Sequence, residues 1–281
     1  MTDNSHIDTA PADTERADRL AFYLIKGMNK TIRSYRMLLN DDHVLVAVSG
    51  GKDSLTLLDL LHRRRRSAKE RIRIAACTVR SDHHCGKAVP EEWLARYCQE
   101  RHIPFHSVPI HVAETLSQAR KSHCFWCSYR RRTALFKLAD ELGCNKLAFG
   151  HHADDVAETI LMNLCFSGKV SRMEPKQALF NGKLTVIRPL AMTEERDIVD
   201  LARASGYPLS GEACPDGVDS RRALVRKVLR ELESDTINVK RCMYHAVERA
   251  QRALALQEAS AALKNLEQIS DEGMKQEEDH D

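Results

Sequence analysis

The strongest constraint on the fold is a regular alternation of short apolar runs with longer amphipathic stretches. Val44–Val48 is the first continuous apolar run, and such a run is typical of a strand that is buried on both faces. Strands alternating with amphipathic helices predict an α/β fold with a parallel, five-stranded-type sheet and helices on both faces. The predicted strands span residues 44–48, 72–79, 105–110, 146–150 and 184–188, and the predicted helices span 18–39, 54–65, 90–101, 128–142, 155–166 and 194–205.

The pattern becomes purely helical after Pro208, with helices expected over about 220–233 and 239–266. Both ends of the chain are too polar to form a packed core. We therefore expect five segments: a disordered N-terminus (1–17), an N-terminal helical segment (18–40), an α/β domain (41–206), a helical C-terminal region (207–269) and an acidic disordered tail (270–281).

Composition predicts a soluble, cytoplasmic protein without a membrane partner. No apolar run approaches the roughly 20 residues that a membrane helix needs. A signal peptide begins with basic and then apolar residues, whereas the first residues of this sequence are acidic and polar. The nine cysteines are therefore expected to be reduced. Those without a recognisable spacing are expected to be mostly small buried apolar residues: Cys77, Cys85, Cys98, Cys144, Cys165 and Cys242.

The charge distribution suits a polyanionic partner. The whole chain carries a net charge of +3, but its acidic residues are concentrated at the two ends, so residues 20–270 carry +11. We expect Arg63–Arg66 to form a solvated helix face. Two other basic clusters flank the cysteines discussed below and are candidates for RNA contact: Arg130–Arg132, and Arg221, Arg222, Arg226, Lys227 and Arg230.

Residues 49–54 read Ser-Gly-Gly-Lys-Asp-Ser and lie between the first predicted strand and its helix. Backbone N–H groups and the helix dipole can hold phosphate at such a position. The loop is not a Walker loop, because Val46 stands where that motif has its first glycine. A plain glycine-rich turn is the alternative, but serine and lysine at these offsets favour phosphate binding.

A second polar loop, Gly-His-His-Ala-Asp-Asp at residues 150–155, follows the predicted strand at 146–150. The C-terminal ends of parallel strands lie at one edge of the sheet, where ligands bind. This loop is therefore a second candidate for the nucleotide site. The structural alternative makes Asp155 a helix N-cap, with Glu158 three residues further on as in a capping box.

Three cysteines form a candidate metal centre. Cys124 and Cys127 form a Cys-x-x-Cys motif, which is compatible with redox chemistry, half a zinc site or part of an iron–sulfur site. Cys214 lies in the irregular segment before the C-terminal helices. Three thiolates would leave one open coordination position on a four-iron cluster. Zinc would need a fourth ligand, for which His123 is the nearest candidate.

The 49–54 loop closely resembles the SGGxDS loop of the PP-loop ATP pyrophosphatases, which cleave ATP between its α and β phosphates and adenylate a carbonyl oxygen. The whole set of motifs resembles the tRNA 2-thiocytidine synthetase family over about residues 22–250. In chain order, these motifs are the SGGKDS loop, the Cys-x-x-Cys pair, the GHHADD loop, the Val-Ile-Arg-Pro-Leu sequence at 186–190 and the late single Cys214.

The resemblance implies a Rossmann-like fold of the adenine nucleotide α-hydrolase type, with ATP, Mg²⁺ and a [4Fe-4S] cluster as cofactors. It implies tRNA as substrate, a cysteine desulfurase as sulfur donor, and a homodimer. It places phosphate contacts at Ser49, Gly50, Gly51, Lys52 and Ser54, magnesium placement at Asp53, further ATP and magnesium contacts at Gly150, His151, Asp154 and Asp155, and the cluster on Cys124, Cys127 and Cys214. Direct roles in catalysis fall to Lys52, Asp53, Asp155 and Cys214.

The expected reaction is ATP-dependent 2-thiolation of cytidine 32 in the tRNA anticodon loop, through an adenylated intermediate with sulfur delivered via the cluster. The sequence around Cys214 lacks the first cysteine and the Gly-Ser-Gln of the C-x-x-C-G-S-Q pattern usual in the family. Synthesis of 2-thiouridine therefore stays open as an alternative. The terminal Cys-x-x-Cys fingers of 2-thiouridine synthetases are missing, which favours thiocytidine. Two further alternatives are a zinc-containing adenylating ligase or amidase with the same fold and a non-catalytic RNA-binding protein.

Overall fold

The computed structural model describes residues 12–82, 89–112, 123–209, 221–236 and 238–278. Within these ranges the chain forms eight α-helices and six β-strands. The helices are α1 (Thr14–Ser34), α2 (Lys52–Arg64), α3 (Glu91–Glu100), α4 (His123–Glu141), α5 (Ala153–Ser167), α6 (Glu195–Ala204), α7 (Arg221–Asp235) and α8 (Val239–Glu278). The strands are β1 (His43–Ala47), β2 (Arg73–Ser81), β3 (Phe105–Ile110), β4 (Lys146–Ala148), β5 (Lys176–Leu179) and β6 (Leu184–Ile187).

The six strands form one sheet in the order β3-β2-β1-β4-β6-β5. The five strands expected from the sequence are all parallel, which confirms the α/β prediction. The sixth strand, β5, pairs antiparallel with β6 at the edge and was not among the expected strands. It is short and mostly exposed, so it lacks the apolar pattern that marks a buried strand. The Asn181-Gly182 turn between β5 and β6, with both residues at positive φ, is the signal that could have revealed this hairpin.

The strand order places two loops side by side. From β1 the chain builds the sheet in one direction through β2 and β3, and then returns to add β4 on the other side of β1. The crevice where the strand order reverses, at the C-terminal ends of the strands, is where open α/β sheets bind ligands. The loops that follow β1 and β4 both lie at this point.

Alternate residues of β1 divide the core between the two faces of the sheet. Val44 and Val46 pack in the cluster that contains the buried residues of α1, α2, α3 and α6. Leu45 packs on the opposite face, in the cluster that contains Leu135 and Ala139 of α4. Five leucines of α2 have no exposed surface, and each contributes about 1.5–3 kcal/mol through burial. They are Leu55, Leu57, Leu58, Leu60 and Leu61.

The chain divides into two compact units. One comprises the described residues of 1–156 and 174–224, and the other those of 157–173 and 225–281. The second unit has its own apolar cluster around Ala157, Val225 and Leu229. It also holds an ion pair between Arg226 and the buried Glu158, with Nε and Oε1 2.6 Å apart. The five-segment division expected from the sequence stays a prediction. Helix α8 is helical to Glu278, past the start of the expected acidic tail.

Two expectations about surface and core need adjustment. Cys77, Cys98 and Cys144 are buried as expected, but Cys165 and Cys242 are exposed, and Cys85 lies outside the described residues. Burial raises the pKa of these three thiols, to about 12 for Cys77 and to about 11 for Cys98 and Cys144. They are therefore protonated, unreactive core residues.

Arg63–Arg66 is not a simple solvated helix face. Arg64 is buried and pairs at 2.8 Å with Glu70, which lies in the segment after α2. Arg63 bridges Asp59 and Asp18 at 2.7 and 2.6 Å. This segment therefore stabilises the packing of α1 and α2. No helix in the described part of the chain is both long and apolar enough to cross a bilayer.

Candidate active site

Hydrogen bonds of Ser49 and Ser54 hold the loop after β1 in a tight turn. Ser54 Oγ donates to the Gly51 carbonyl oxygen at 2.9 Å and accepts the Ser49 backbone N–H at 3.1 Å. Gly50 has a φ of +83°, a conformation that favours glycine. Gly51 precedes α2, and within the described residues no side chain caps the N–H groups at the start of that helix. Those N–H groups are therefore available to an anion.

The loop after β4 lies in direct contact with the first loop. A Cβ atom added at Gly150 would lie 2.8 Å from the carbonyl carbon and oxygen of Asp53 and 2.9 Å from the nitrogen of Ser54. These distances are shorter than real Cβ contacts, and the neighbouring atoms belong to the backbone. Only glycine at position 150 lets the two loops approach this closely. The structure thus brings together the two motifs that the sequence analysis selected.

Asp155 links the second loop to the start of α5 through a capping hydrogen bond. That helix begins at Ala153, and Asp155 Oδ2 accepts the backbone N–H of His152 at 3.1 Å. Asp155 is therefore the third residue of the helix, reaching back to cap it, and not the N-cap that the structural alternative assumed. The carboxylate of Glu158 pairs with Arg226. The capping role of Asp155 leaves its Oδ1 directed toward Arg222, 3.8 Å away.

Lys52 is held between two carboxylates. Its Nζ lies 3.1 Å from Asp53 Oδ1 and 2.7 Å from Glu195 Oε1. Burial lowers the pKa of Lys52, but the charges of Asp53 and Glu195 outweigh burial and raise the pKa above its ordinary value. Burial raises the pKa of Asp53, although Lys52 and His152 oppose that shift. For Glu195, the hydrogen bond and charge of Lys52 outweigh the effect of burial and lower the pKa.

His152 lies among three carboxylates. Its ring nitrogens are 3.6 Å from Asp53 Oδ1, 3.6 Å from Asp154 Oδ2 and 3.5 Å from Asp155 Oδ2. Burial lowers the pKa of this side chain, but the carboxylates outweigh it and raise the pKa above 6.5. The carboxylates therefore favour the protonated form of His152, and a proton on its ring would offset the repulsion among them. His152 belongs to the GHHADD motif, but the motif alone assigned it no role.

His151 behaves in the opposite way. Burial, together with the charges of Arg188 and Arg222, lowers the pKa of His151 to about 4, against the opposing charge of Asp155. Its Nδ1 accepts a hydrogen bond from Arg188 Nε at 3.3 Å. His151 is therefore neutral near neutral pH and carries its proton on Nε2. Arg188, from the Val-Ile-Arg-Pro-Leu motif, is itself fixed by the carbonyl oxygen of Glu174 at 2.6 Å.

Glu195 is the site residue that sequence analysis missed. It is the first residue of α6, and its backbone N–H donates to Asp154 Oδ2 at 2.8 Å. The preceding segment is also tied to the second loop, because the Ala153 N–H donates to the Thr193 carbonyl oxygen at 2.8 Å. Glu195 is 143 residues from Lys52 in sequence. Its only sequence signal was an acidic residue in the first turn of the helix after β6.

Asp53 and Glu195 together offer oxygen ligands that fit a magnesium ion. A carboxylate oxygen of each lies within 4.8 Å of the other and of a His152 nitrogen. Oδ1 of Asp53 is buried and accepts no hydrogen bond of good geometry from the described residues. Magnesium prefers oxygen ligands, and the raised pKa of His152 disfavours metal binding by its ring. Asp53 and Glu195 are therefore better candidate ligands than the histidine.

Only one of the three candidate cluster cysteines can be placed. Cys127 is buried and packs with Ile110 and Val112. Residues 124 and 127 lie one turn apart at the start of α4 and so share a helix face. The side chain of Cys124 and all of Cys214 lie outside the described residues. The ligand set therefore stays a prediction.

The fold and the loop define a class of protein, a PP-loop nucleotide-binding domain. A family model described as a PP-loop domain matches residues 24–232. The chain is 35% identical over 239 residues to the tRNA-cytidine(32) 2-sulfurtransferase of Geobacter sulfurreducens, covering 83% of this chain and 92% of that protein. It is 35% identical over 217 residues to the protein of the same name from Acinetobacter baumannii, covering 76% and 71%. The chain therefore belongs to the tRNA-cytidine(32) 2-sulfurtransferase family, sulfurtransferase enzymes with a PP-loop ATP-binding domain.

A solved structure confirms the fold. The U34-tRNA thiolase NcsA from Methanococcus maripaludis, determined with its [4Fe-4S] cluster, superposes with a TM-score of 0.65 at 24% identity. The superposition covers 83% of this chain and 79% of that one. At this identity the likeness establishes a shared architecture.

Proposed function

We propose that this chain converts the C2 carbonyl of cytidine 32 in tRNA to a thiocarbonyl, using ATP to activate the oxygen. The relatives at 34–36% identity carry the name of that activity. The observation that carries the proposal is the contact between the two loops at Gly150, which brings Lys52, Asp53 and the 150–155 loop to one point. That point lies at the switch in strand order, where a nucleotide would bind.

The first chemical step is adenylation of the cytidine. The C2 oxygen attacks the α-phosphorus of ATP, an O–P bond forms, and pyrophosphate leaves. In our proposal, Ser49, Gly50, Gly51 and Ser54 hold the departing phosphates through the loop and the start of α2, and Lys52 neutralises their charge. Asp53 and Asp155 shape the magnesium and ATP environment together with Gly150, His151 and Asp154. Magnesium supplies positive charge to the phosphates when it is bound.

The second step replaces oxygen by sulfur. A sulfide attacks C2, a C–S bond forms, and AMP leaves with the former C2 oxygen. No net oxidation is needed when sulfur arrives at the sulfide level. The adenylate is needed because a pyrimidine carbonyl oxygen is a poor leaving group, whereas AMP is a good one.

We propose that Cys124, Cys127 and Cys214 hold a [4Fe-4S] cluster. Thiolates are the usual ligands of such clusters, and the first two cysteines lie one turn apart near the start of α4. With these three ligands, such a cluster would keep one coordination position open, at which it could supply sulfur to the reaction. A cysteine desulfurase is the proposed source of that sulfur. It supplies sulfur as a persulfide, so two electrons from an external thiol reductant are needed to release it as sulfide. We propose that the protein acts in the cytoplasm as a homodimer.

The proposed tRNA contacts lie on two helices. Arg130 and Arg132 are exposed on α4, within two turns of the Cys-x-x-Cys pair. Lys227 and Arg230 are exposed on α7. Such side chains neutralise phosphates and position the RNA without reading sequence, so binding should weaken steeply with salt.

An oxygen-labelling experiment tests the adenylated intermediate. Anaerobically purified protein is given ATP, a sulfide donor and a tRNA whose cytidine 32 carries oxygen-18 at C2. The proposal predicts one AMP per 2-thiocytidine, with the heavy oxygen in the AMP phosphate. Heavy oxygen in inorganic phosphate or water, or thiolation with no AMP formed, would refute adenylation.

A further inference from the structure

We propose that Glu195 is a specificity-determining residue that makes phosphate binding by the 49–54 loop depend on a divalent cation. In the structure Glu195 holds Lys52, and we infer that it releases Lys52 to a phosphate only when a cation takes the place of the lysine beside the carboxylates. This inference rests on the proposed ATP-binding function of the same loop. It concerns the form of the nucleotide that the loop accepts.

The geometry shows why Lys52 is not free to meet a phosphate. Its ammonium group contacts Glu195 Oε1 at 2.7 Å and Asp53 Oδ1 at 3.1 Å. Two carboxylates around one ammonium leave the trio with a net negative charge. A nucleotide without metal carries several negative charges and would be repelled by that trio.

A divalent cation reverses this balance. Asp53 and Glu195 place carboxylate oxygens close enough together to approach one ion. An ion between these oxygens would bring two positive charges and satisfy both carboxylates. Lys52 could then turn to the phosphates, so the cation and the nucleotide would bind with positive cooperativity.

Glu195 is held in position for this role by its backbone. Its N–H donates to Asp154 Oδ2 at 2.8 Å, and the neighbouring Thr193 carbonyl accepts the Ala153 N–H at 2.8 Å. The start of α6 is therefore fixed to the second loop while the carboxylate reaches the first loop. The adjacent Glu194 is a matched control, because its side chain pairs with Arg196 at 2.9 Å instead.

Isothermal titration calorimetry tests the inference with ATP and, separately, with inorganic pyrophosphate, each in excess EDTA and in excess magnesium chloride. The full-length protein is compared with Glu195→Gln and Glu194→Gln. We expect wild type and Glu194→Gln to bind ATP at least tenfold more tightly with magnesium. In Glu195→Gln, loss of one charge that is in contact with Lys52 should tighten binding in EDTA by about tenfold and shrink the magnesium effect accordingly.

The outcomes separate the inference from the proposed function. Tight magnesium-dependent binding by wild type, with unchanged or weaker EDTA binding in Glu195→Gln, overturns the inference alone. Failure of wild type to bind ATP even with magnesium overturns the proposed function and the inference with it. If Glu195→Gln does not fold, Glu195→Asp provides the test. Its shorter side chain draws the carboxylate away from Lys52, so EDTA binding should tighten by a few fold, and no tightening overturns the inference.

Discussion

Replacing Gly150 by alanine is the sharpest single test of the loop contact. The added Cβ would lie 2.8 Å from the Asp53 carbonyl carbon and oxygen, whereas ordinary contacts begin at 3.4 Å. The two loops must therefore separate by about 0.6 Å. Overpacking of this kind costs about 1–3 kcal/mol in the free energy of unfolding. Because the displaced atoms belong to Asp53 and Ser54, ATP affinity should also fall by about tenfold or more, as misplacement by about an ångström is costly.

Gly27 provides the matched control. It lies within α1, and a Cβ at that position would meet nothing within 4 Å. Gly27→Ala should therefore be neutral or stabilise the protein by about 0.5–1 kcal/mol through helix propensity. Urea unfolding and ATP titration of both variants make the comparison. A Gly150→Ala protein with wild-type stability and wild-type ATP affinity would refute the contact between the loops.

Three further predictions address the charges and the cysteines. Lys52→Ala should abolish ATP-dependent thiolation while the iron content stays at the wild-type level, and loss of iron in this variant would show that the two centres are not separate. Cys214→Ala should lose iron and acid-labile sulfide but keep its ATP affinity, and full iron content would refute the ligand assignment. The raised pKa of His152 predicts that its stabilising contribution is complete below its ordinary pKa of 6.5 and is lost as pH rises through the higher folded-state value. The destabilisation of His152→Gln, measured by urea unfolding, should thus be largest below pH 6.5 and shrink as the pH is raised above that value, and a constant difference would contradict the charged role.

The sequence was sufficient for the parts of the fold and site that local pattern determines. Buried runs such as Val44–Val48 are local signals, and they predicted the parallel strands. The glycine and serine pattern at 49–54 marked the loop after β1, and its binding of phosphate stays a prediction. The edge strand β5 escaped because exposed strands carry little apolar periodicity. Glu195 escaped because its role depends on a contact with Lys52 across 143 residues. The pKa shifts of side chains could not be predicted from the sequence either. The pKa of His151 is lowered, whereas the pKa of the adjacent His152 is raised.

The burial of Arg64 is another feature that the sequence could not predict. Four consecutive arginines look like a solvated surface, and sequence alone gives no sign that one of them turns inward. Its partners Asn29 and Glu70 come from α1 and from the segment after α2, and they accept hydrogen bonds from its Nε and Nη2 at 2.6 and 2.8 Å. Such partners offset the free-energy cost of removing a charged group from water. That information belongs to the tertiary structure.

The central claim is that this chain thiolates cytidine in tRNA, and nucleoside mass spectrometry tests it most directly. Total tRNA is digested from cells with and without the gene, and from gene-deleted cells complemented with wild type, Lys52→Ala or Cys214→Ala. We predict selective loss of 2-thiocytidine and restoration by the wild type alone. Loss of 2-thiouridine instead would show that the modified base is uridine and not cytidine. Unchanged levels of both would contradict the account and favour a zinc-containing adenylating enzyme.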